Sequence, residues 1–169
     1  MAFGFWYIPL PANKLFIKTK FIMKTIILVV ENIQSQLEKA KEVIEKDYPN
    51  MIIVMSTNFV DASQFITEMK GNIRGIVTNL NFPVKNHYEE DNTKEENKFT
   101  GLGIVSLSIL NNIPVVAHGK VDEYFEKYLQ DILKVFASHK NYHYPEIPFY
   151  KGALDWTKAL QKLVYLRER

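Results

Sequence analysis

The sequence predicts an α/β domain in which helices cover both faces of a parallel sheet, and three observations predict it. From Lys24 onward, short runs of β-branched and other apolar residues alternate with segments whose apolar residues recur at helical spacing. No internal repeat is visible. A chain of 169 residues, 47% hydrophobic and 24% charged, fits one globular domain with a sizeable core.

The elements follow in order. "TIILVV", residues 25 to 30, is the first strand. Ile33, Leu37, Ala40, Ile44 and Tyr48 then mark the inner face of an amphipathic helix, with Glu38, Lys39, Lys41, Glu42, Glu45 and Lys46 on the other face. "MIIVMS" at 51 to 56 is the second strand. Asn58 is placed to cap a short helix with Ala62, Phe65, Ile66 and Met69 inward. "GIVTNL" at 75 to 80 is the third strand. Gly101 opens a helix carrying Leu102, Val105, Ile109 and Leu110, and "IPVVAHG" at 113 to 119 is the fourth strand. Asp122 caps the longest helix, whose stripe is Phe125, Tyr128, Leu129, Ile132, Leu133 and Phe136. The fifth strand is expected at Ile147 to Tyr150, and a last helix buries Trp156, Leu160 and Leu163. Five strands alternating with five helices point to a flavodoxin-like doubly wound sheet of order 2-1-3-4-5, whose functional groups gather at the carboxyl ends of the strands. Those ends carry Glu31 and Asn32, Asn79, His118 and Gly119, and Lys151.

The segments "ILVVEN", "NLNFP", "GLGIVSLSILNNIPVVA" and "YKG" come in the order found in a response-regulator receiver domain, and the chain from about residue 24 to 166 resembles that family. The resemblance implies a pair of acidic residues after the first strand, a phospho-accepting aspartate after the third before a Leu-x-x-Pro turn, a Thr or Ser after the fourth and a Lys after the fifth. By motif, Glu31 holds the first acidic place, Asn32 the second, Asn79 the acceptor place and Lys151 the lysine place, while Gly119 stands where the hydroxyl belongs. Asn32, Asn79 and Gly119 have each lost the working group. Gly152 also replaces the proline that usually follows the lysine.

A carboxylate can attack a phosphoryl donor, but an amide whose lone pair is delocalised cannot. Magnesium is held by carboxylates and waters, and this site offers Glu31 beside two amides. The expectation is therefore a degenerate pseudo-receiver with no acceptor, no metal and no cofactor, in which Lys151 forms an ion pair with Glu31. Asn32 and Asn79 would then cap turns and helix starts through their side chains. The sharper alternative is a small-ligand pocket that reuses the vacated site.

The loop "NFPVKNHYEEDNTKEENKFTG" is about twice the family's usual length, so residues 84 to 100 read as an insertion. It is polar and mildly acidic; a solvated segment is the simpler reading, a lid or docking arm the functional one. Residues 1 to 22, rich in aromatics and broken by Pro9 and Pro11, admit three readings: an extra edge strand or docking tail, a targeting signal, or an extension outside a domain that spans 23 to 169. Because "MKTIILVVEN" reads as the opening of the domain, the last is the working expectation.

Other chemistry is thin. Lys plus Arg number 21 and Asp plus Glu 19, and a net charge of +2 is too small to make nucleic acid or an anionic membrane the main target. Lysines interrupt every apolar run long enough to approach a bilayer span. The absence of cysteine excludes disulfides, thiolate catalysis and zinc–thiolate sites, and suits the cytoplasm. His139 and His143 lie four apart at a helix end but lack a third ligand. No phosphate-binding glycine loop, Ser-His-Asp order or metalloprotease helix is visible, so no enzyme is expected. The functional expectation is a phosphorylation-independent module that binds an unknown protein in signalling or regulation, a second copy of itself included. The alternative is a small-molecule or nucleotide sensor using the strand-end crevice.

Overall fold

A computed structural model of the chain describes residues 25–82 and 100–168. The expected extension at 1–22 lies outside the described residues, as does the expected insertion apart from Thr100.

Ten elements alternate along the chain: β1 (Thr25–Val30), α1 (Gln34–Asp47), β2 (Met51–Ser56), α2 (Phe59–Met69), β3 (Ile73–Asn79), α3 (Gly101–Leu110), β4 (Val115–Gly119), α4 (Glu123–Ala137), β5 (Phe149–Lys151) and α5 (Trp156–Arg167). All neighbouring strands are parallel, in the order β2-β1-β3-β4-β5. This is the doubly wound, flavodoxin-like architecture that the alternation of patterns predicts.

Side chains alternate across a strand, so each central strand feeds two cores. Leu28, Val30, Ile76, Val115 and Ala117 pack beneath α2, α3 and α4 with Ala62, Ile66, Ile104, Leu129 and Leu133. Ile27, Val29, Val77 and Val116 pack on the other face against α1 and α5, with Leu37, Ala40, Ile44, Trp156, Leu160 and Leu163. Strands buried on both faces need apolar residues at consecutive positions, which is why β1, β3 and β4 read as unbroken runs rather than alternating ones.

Helix ends follow local chemistry. The Asn58 side chain accepts the Asp61 N–H at 2.9 Å, and Asp122 Oδ1 accepts the Phe125 N–H at 2.7 Å, as expected of N-caps. Asp155 caps α5 in the same way, accepting the Lys158 N–H at 3.1 Å. A side chain at Gly101 would put its Cβ 2.3 Å from the Asn79 carbonyl oxygen, so only glycine lets α3 start this close to the end of β3.

Several boundaries differ from expectation. β3 begins at Ile73, two residues before Gly75. β5 begins at Phe149 rather than Ile147, because Pro148 brings no N–H to the ladder; its carbonyl still accepts the Ala117 N–H at 2.9 Å. Leu110 and Tyr128, expected on inner faces, are 57% and 52% exposed. Tyr128 instead meets Tyr124 one turn earlier, with ring centroids 5.0 Å apart and hydroxyls 2.9 Å apart.

Candidate functional site

The two cores end differently at the top of the sheet. On the α1–α5 face, Val29 and Val77 are register partners, as are Val77 and Val116. Two residues further along each strand, on the same face, stand Glu31, Asn79 and His118. Asn79 and His118 are themselves register partners. A row of three valines is thus followed by a row of three polar side chains, brought side by side by strand register alone.

All three are buried: Glu31 is fully covered, His118 is 3% exposed and Asn79 6%. Glu31 Oε1 accepts three N–H groups: the backbone of Asn32 at 2.8 Å, the backbone of Ile33 at 2.9 Å and the Asn79 side-chain amide at 3.0 Å. Glu31 Oε2 lies 3.2 Å from His118 Nε2. That contact is close, but it lacks the alignment of a hydrogen bond, and neither atom has a hydrogen-bond partner among the described residues. Asn79 is engaged at both ends, since its Oδ1 accepts the Asn81 N–H at 2.9 Å. The indole of Trp156, at the start of α5, closes the other side of His118 edge-on at 5.9 Å and donates to Gln36 Oε1 at 3.1 Å.

The charge state of Glu31 follows from these contacts. Burial alone would raise its pKa; the attraction of His118, the Asn79 amide and the Ile33 N–H together outweigh burial and hold it below the usual value. The carboxylate also serves the entry to α1. Ile33, at the N-cap position, offers no side-chain acceptor, and Glu31 Oε1 takes the Asn32 and Ile33 N–H groups just ahead of the helix.

The opposite face carries Gly119 and Lys151, register partners at the ends of β4 and β5. A Cβ at Gly119 would lie 2.8 Å from Asn81 Oδ1, so the Asn81 side chain occupies the space where a hydroxyl-bearing residue would project. The expected Lys151–Glu31 ion pair does not form. Lys151 Nζ pairs with Glu126 Oε2 on α4 at 2.8 Å, and the Glu31 carboxylate faces His118 instead. The reason is the two-residue period of the strand: Lys151 points to the α4 face, Glu31 to the α1–α5 face. Asn32 contributes its backbone N–H, while the residue as a whole is exposed.

The structure therefore joins Glu31, Asn79 and His118, sets Gly119 behind Asn81, and sends Lys151 elsewhere. Sequence reasoning missed the roles of Asn81, Trp156 and Glu126. The pairing of His118 with Glu31 was open to it, since both are the first polar residues after apolar runs on one face. Among the described residues no cluster of three metal-ligating side chains occurs. His139 instead serves a local turn by accepting the Asn141 N–H, and His143 meets the Asn112 side chain, 31 residues away along the chain. Two shallow grooves lie away from the strand ends, one of about 420 Å³ between α4 and the segment entering β5, the other of about 330 Å³ at the starts of β1, β2 and β3. No described helix is long and apolar enough to cross a membrane.

No family model matches the chain, and no curated protein is similar to it in sequence. Solved structures do match in fold. The signal receiver domain of a putative LuxO repressor protein from Vibrio parahaemolyticus is 18% identical, with a TM-score of 0.58 over 86% of this chain and 92% of that one. A response regulator receiver protein from Sinorhizobium medicae is 10% identical, with a TM-score of 0.54 over 85% and 94%. A de novo designed Rossmann 2x3 protein, also 10% identical, reaches a TM-score of 0.52 over 84% and 90%. The chain has the receiver fold. A designed protein among the neighbours is a reminder that this likeness concerns architecture, not activity.

Proposed function

We propose that the domain is a pseudo-receiver, a receiver-like module that works without phosphorylation by binding another protein in signalling or regulation. The observation that carries this reading is the state of Asn79. At the place of the phospho-acceptor stands a neutral amide, buried and hydrogen-bonded at both ends, whose donor goes to the carboxylate that would otherwise help hold a metal ion. A side chain committed in this way neither attacks a phosphoryl group nor frees Glu31 to ligate a cation. The Asn81 side chain takes up the space beside Gly119, and so part of the crevice, with the protein's own atoms. That supports a binding module over the small-molecule sensor.

A surface suited to a protein partner is present on α4, where Tyr124 is 75% and Val135 70% exposed beside the paired Tyr128. Tyrosine supplies rigid, amphipathic contact area of the kind enriched at interfaces. The likeness in fold to receiver domains supports a regulatory setting by analogy.

The test is incubation of the intact protein with acetyl phosphate and magnesium, followed by intact-mass and peptide mass spectrometry. The expected result is no added phosphoryl mass. One phosphate located on residues 75 to 83 would overturn the reading.

A further inference from the structure

The chain carries three arginines, at 74, 167 and 169, among eighteen lysines. The two that the structure describes line one groove, that of about 330 Å³ at the starts of β1, β2 and β3. Different causes bring them there. Arg167 stands in the last turn of α5, where a cation complements the carbonyl end of the helix. Arg74 is placed instead by an irregularity in β3. Ile26 and Ile27 are consecutive in β1, yet their register partners are Ile73 and Gly75, so Arg74 is an extra residue in the ladder. Such a bulge breaks the alternation of side chains and re-aims one of them. Ile73 packs into the core beneath α2, α3 and α4, and a Cβ on Gly75 would meet Leu163 of α5. Arg74 lines the groove with the same Leu163, so two consecutive residues face α5 where a regular strand would turn one of them away.

Neither guanidinium is held by the protein. Both residues are exposed, and neither has a hydrogen bond or an ion pair among the described residues. Glu168 shares the groove without pairing with either of them. The rest of the lining is largely aliphatic, from Ile27, Met51, Leu163 and Val164, and Thr25 adds a hydroxyl.

The geometry points to a binding site for a small amphiphilic anion, a carboxylate or phosphate head on a hydrocarbon body. Arginine presents a planar fork of donors that matches either head, which a lysine ammonium does not, and the aliphatic lining takes the body. Apolar walls with a few polar groups that fix orientation are the usual make-up of a small-molecule site. At roughly 30 Å³ per water the groove holds about eleven waters, room for a chain of about eight carbons with its head group. The ligand is a free molecule rather than a lipid in a bilayer, since a membrane surface calls for a cluster of basic residues and here Glu168 stands beside the two arginines. The groove lies at the opposite end of the strands from Glu31, Asn79 and His118, so the inference is independent of the pseudo-receiver reading.

Titration of the full chain with octanoate and with octyl phosphate, followed through the backbone amides by NMR, tests it. Saturable shifts at Ile27, Arg74, Leu163 and Val164 are expected with at least one of the two. Acetate, which lacks the body, and octanol, which lacks the charge, should each bind at least about tenfold more weakly, as should the better probe to Arg74→Gln/Arg167→Gln. Both substitutions fall on exposed side chains; should the variant fail to fold, the comparison among the probes decides on the unmodified chain. No saturable shift with either anion overturns the inference, as do shifts that saturate at other residues. Octanol or acetate binding as tightly as the amphiphile overturns it, and so does an affinity unchanged in the variant. Cosedimentation with phosphatidylglycerol vesicles that needs the two arginines, with neither anion bound, would make the occupant a membrane surface and overturns it as well.

Discussion

The two faces of the sheet finish the same strand ends with different chemistry. On the α1–α5 face, a carboxylate and an imidazole are buried beside an amide, beneath a tryptophan, and the carboxylate holds three N–H groups on one oxygen. On the α4 face, one position away along β4 and β5, the charged groups reach solvent: the Lys151 and Glu126 side chains are 41% and 28% exposed. Both faces hold a contact between a carboxylate and a nitrogen-bearing side chain at a separation near 3 Å. The difference lies in what surrounds each pair. Water can replace either partner of the outer pair, whereas removing a member of the inner cluster strands buried donors. The parity of a residue along its strand therefore decides whether its charge is structural or exchangeable.

The largest expected effect comes from breaking the inner cluster. Glu31→Ala leaves the Asn32 and Ile33 N–H groups and the Asn79 amide without their acceptor and opens a cavity beside His118. Urea unfolding should show a loss of roughly 3–5 kcal/mol with little change in slope. A loss below about 1 kcal/mol would mean that water satisfies these donors as well as the carboxylate does, and the contrast between the faces would collapse.

How much of this contrast was legible beforehand depends on range. The caps at Asn58 and Asp122 were legible because capping is a matter of three or four consecutive residues. The sheet order followed from alternating periods, since five strands joined by helices leave few ways to wind. A Lys151–Glu31 pair does not follow from position at the strand ends alone, because the parity of each residue sets which face it occupies. Carried across the register, the two-residue period puts Lys151 and Gly119 on one side and Glu31, Asn79 and His118 on the other. Trp156 was read correctly as core, but its place over His118 depends on how α5 docks, which no local pattern encodes. Asn81 was hidden for a similar reason: its side chain matters only because Gly119 leaves room for it.

A second measurement sharpens the contrast through pH. The Glu31 pKa is lowered by folding from an ordinary value of about 4.5. A carboxyl with a depressed folded pKa contributes stability that is fully present above the unfolded value and is lost as pH falls through the folded one. The urea midpoint should therefore drop as the solution is acidified below about pH 4.5, and the drop should be shallower in Glu31→Gln, which keeps the shape but carries no titrating proton. Identical profiles in the two proteins would show that the acid response belongs to other carboxylates.

The smallest effect belongs to the outer pair, and it tests whether the Lys151 position keeps any structural duty. Lys151 ends the fifth strand, near where the receiver resemblance places its lysine, yet its ammonium is bound by Glu126, whose hydrogen bond and charge raise the lysine pKa. That shift reports attraction between two exposed groups. Solvent screens it, and holding two long side chains together costs entropy that offsets it. Lys151→Met keeps the aliphatic stem along the sheet and deletes only the charge, so the thermal midpoint should stay where it is, at low and at high salt alike. Glu126→Gln should behave in the same way. A midpoint that falls by several degrees in either variant, and falls less at high salt, would show that the outer pair bears on stability as the inner one does; parity would then no longer separate the two faces.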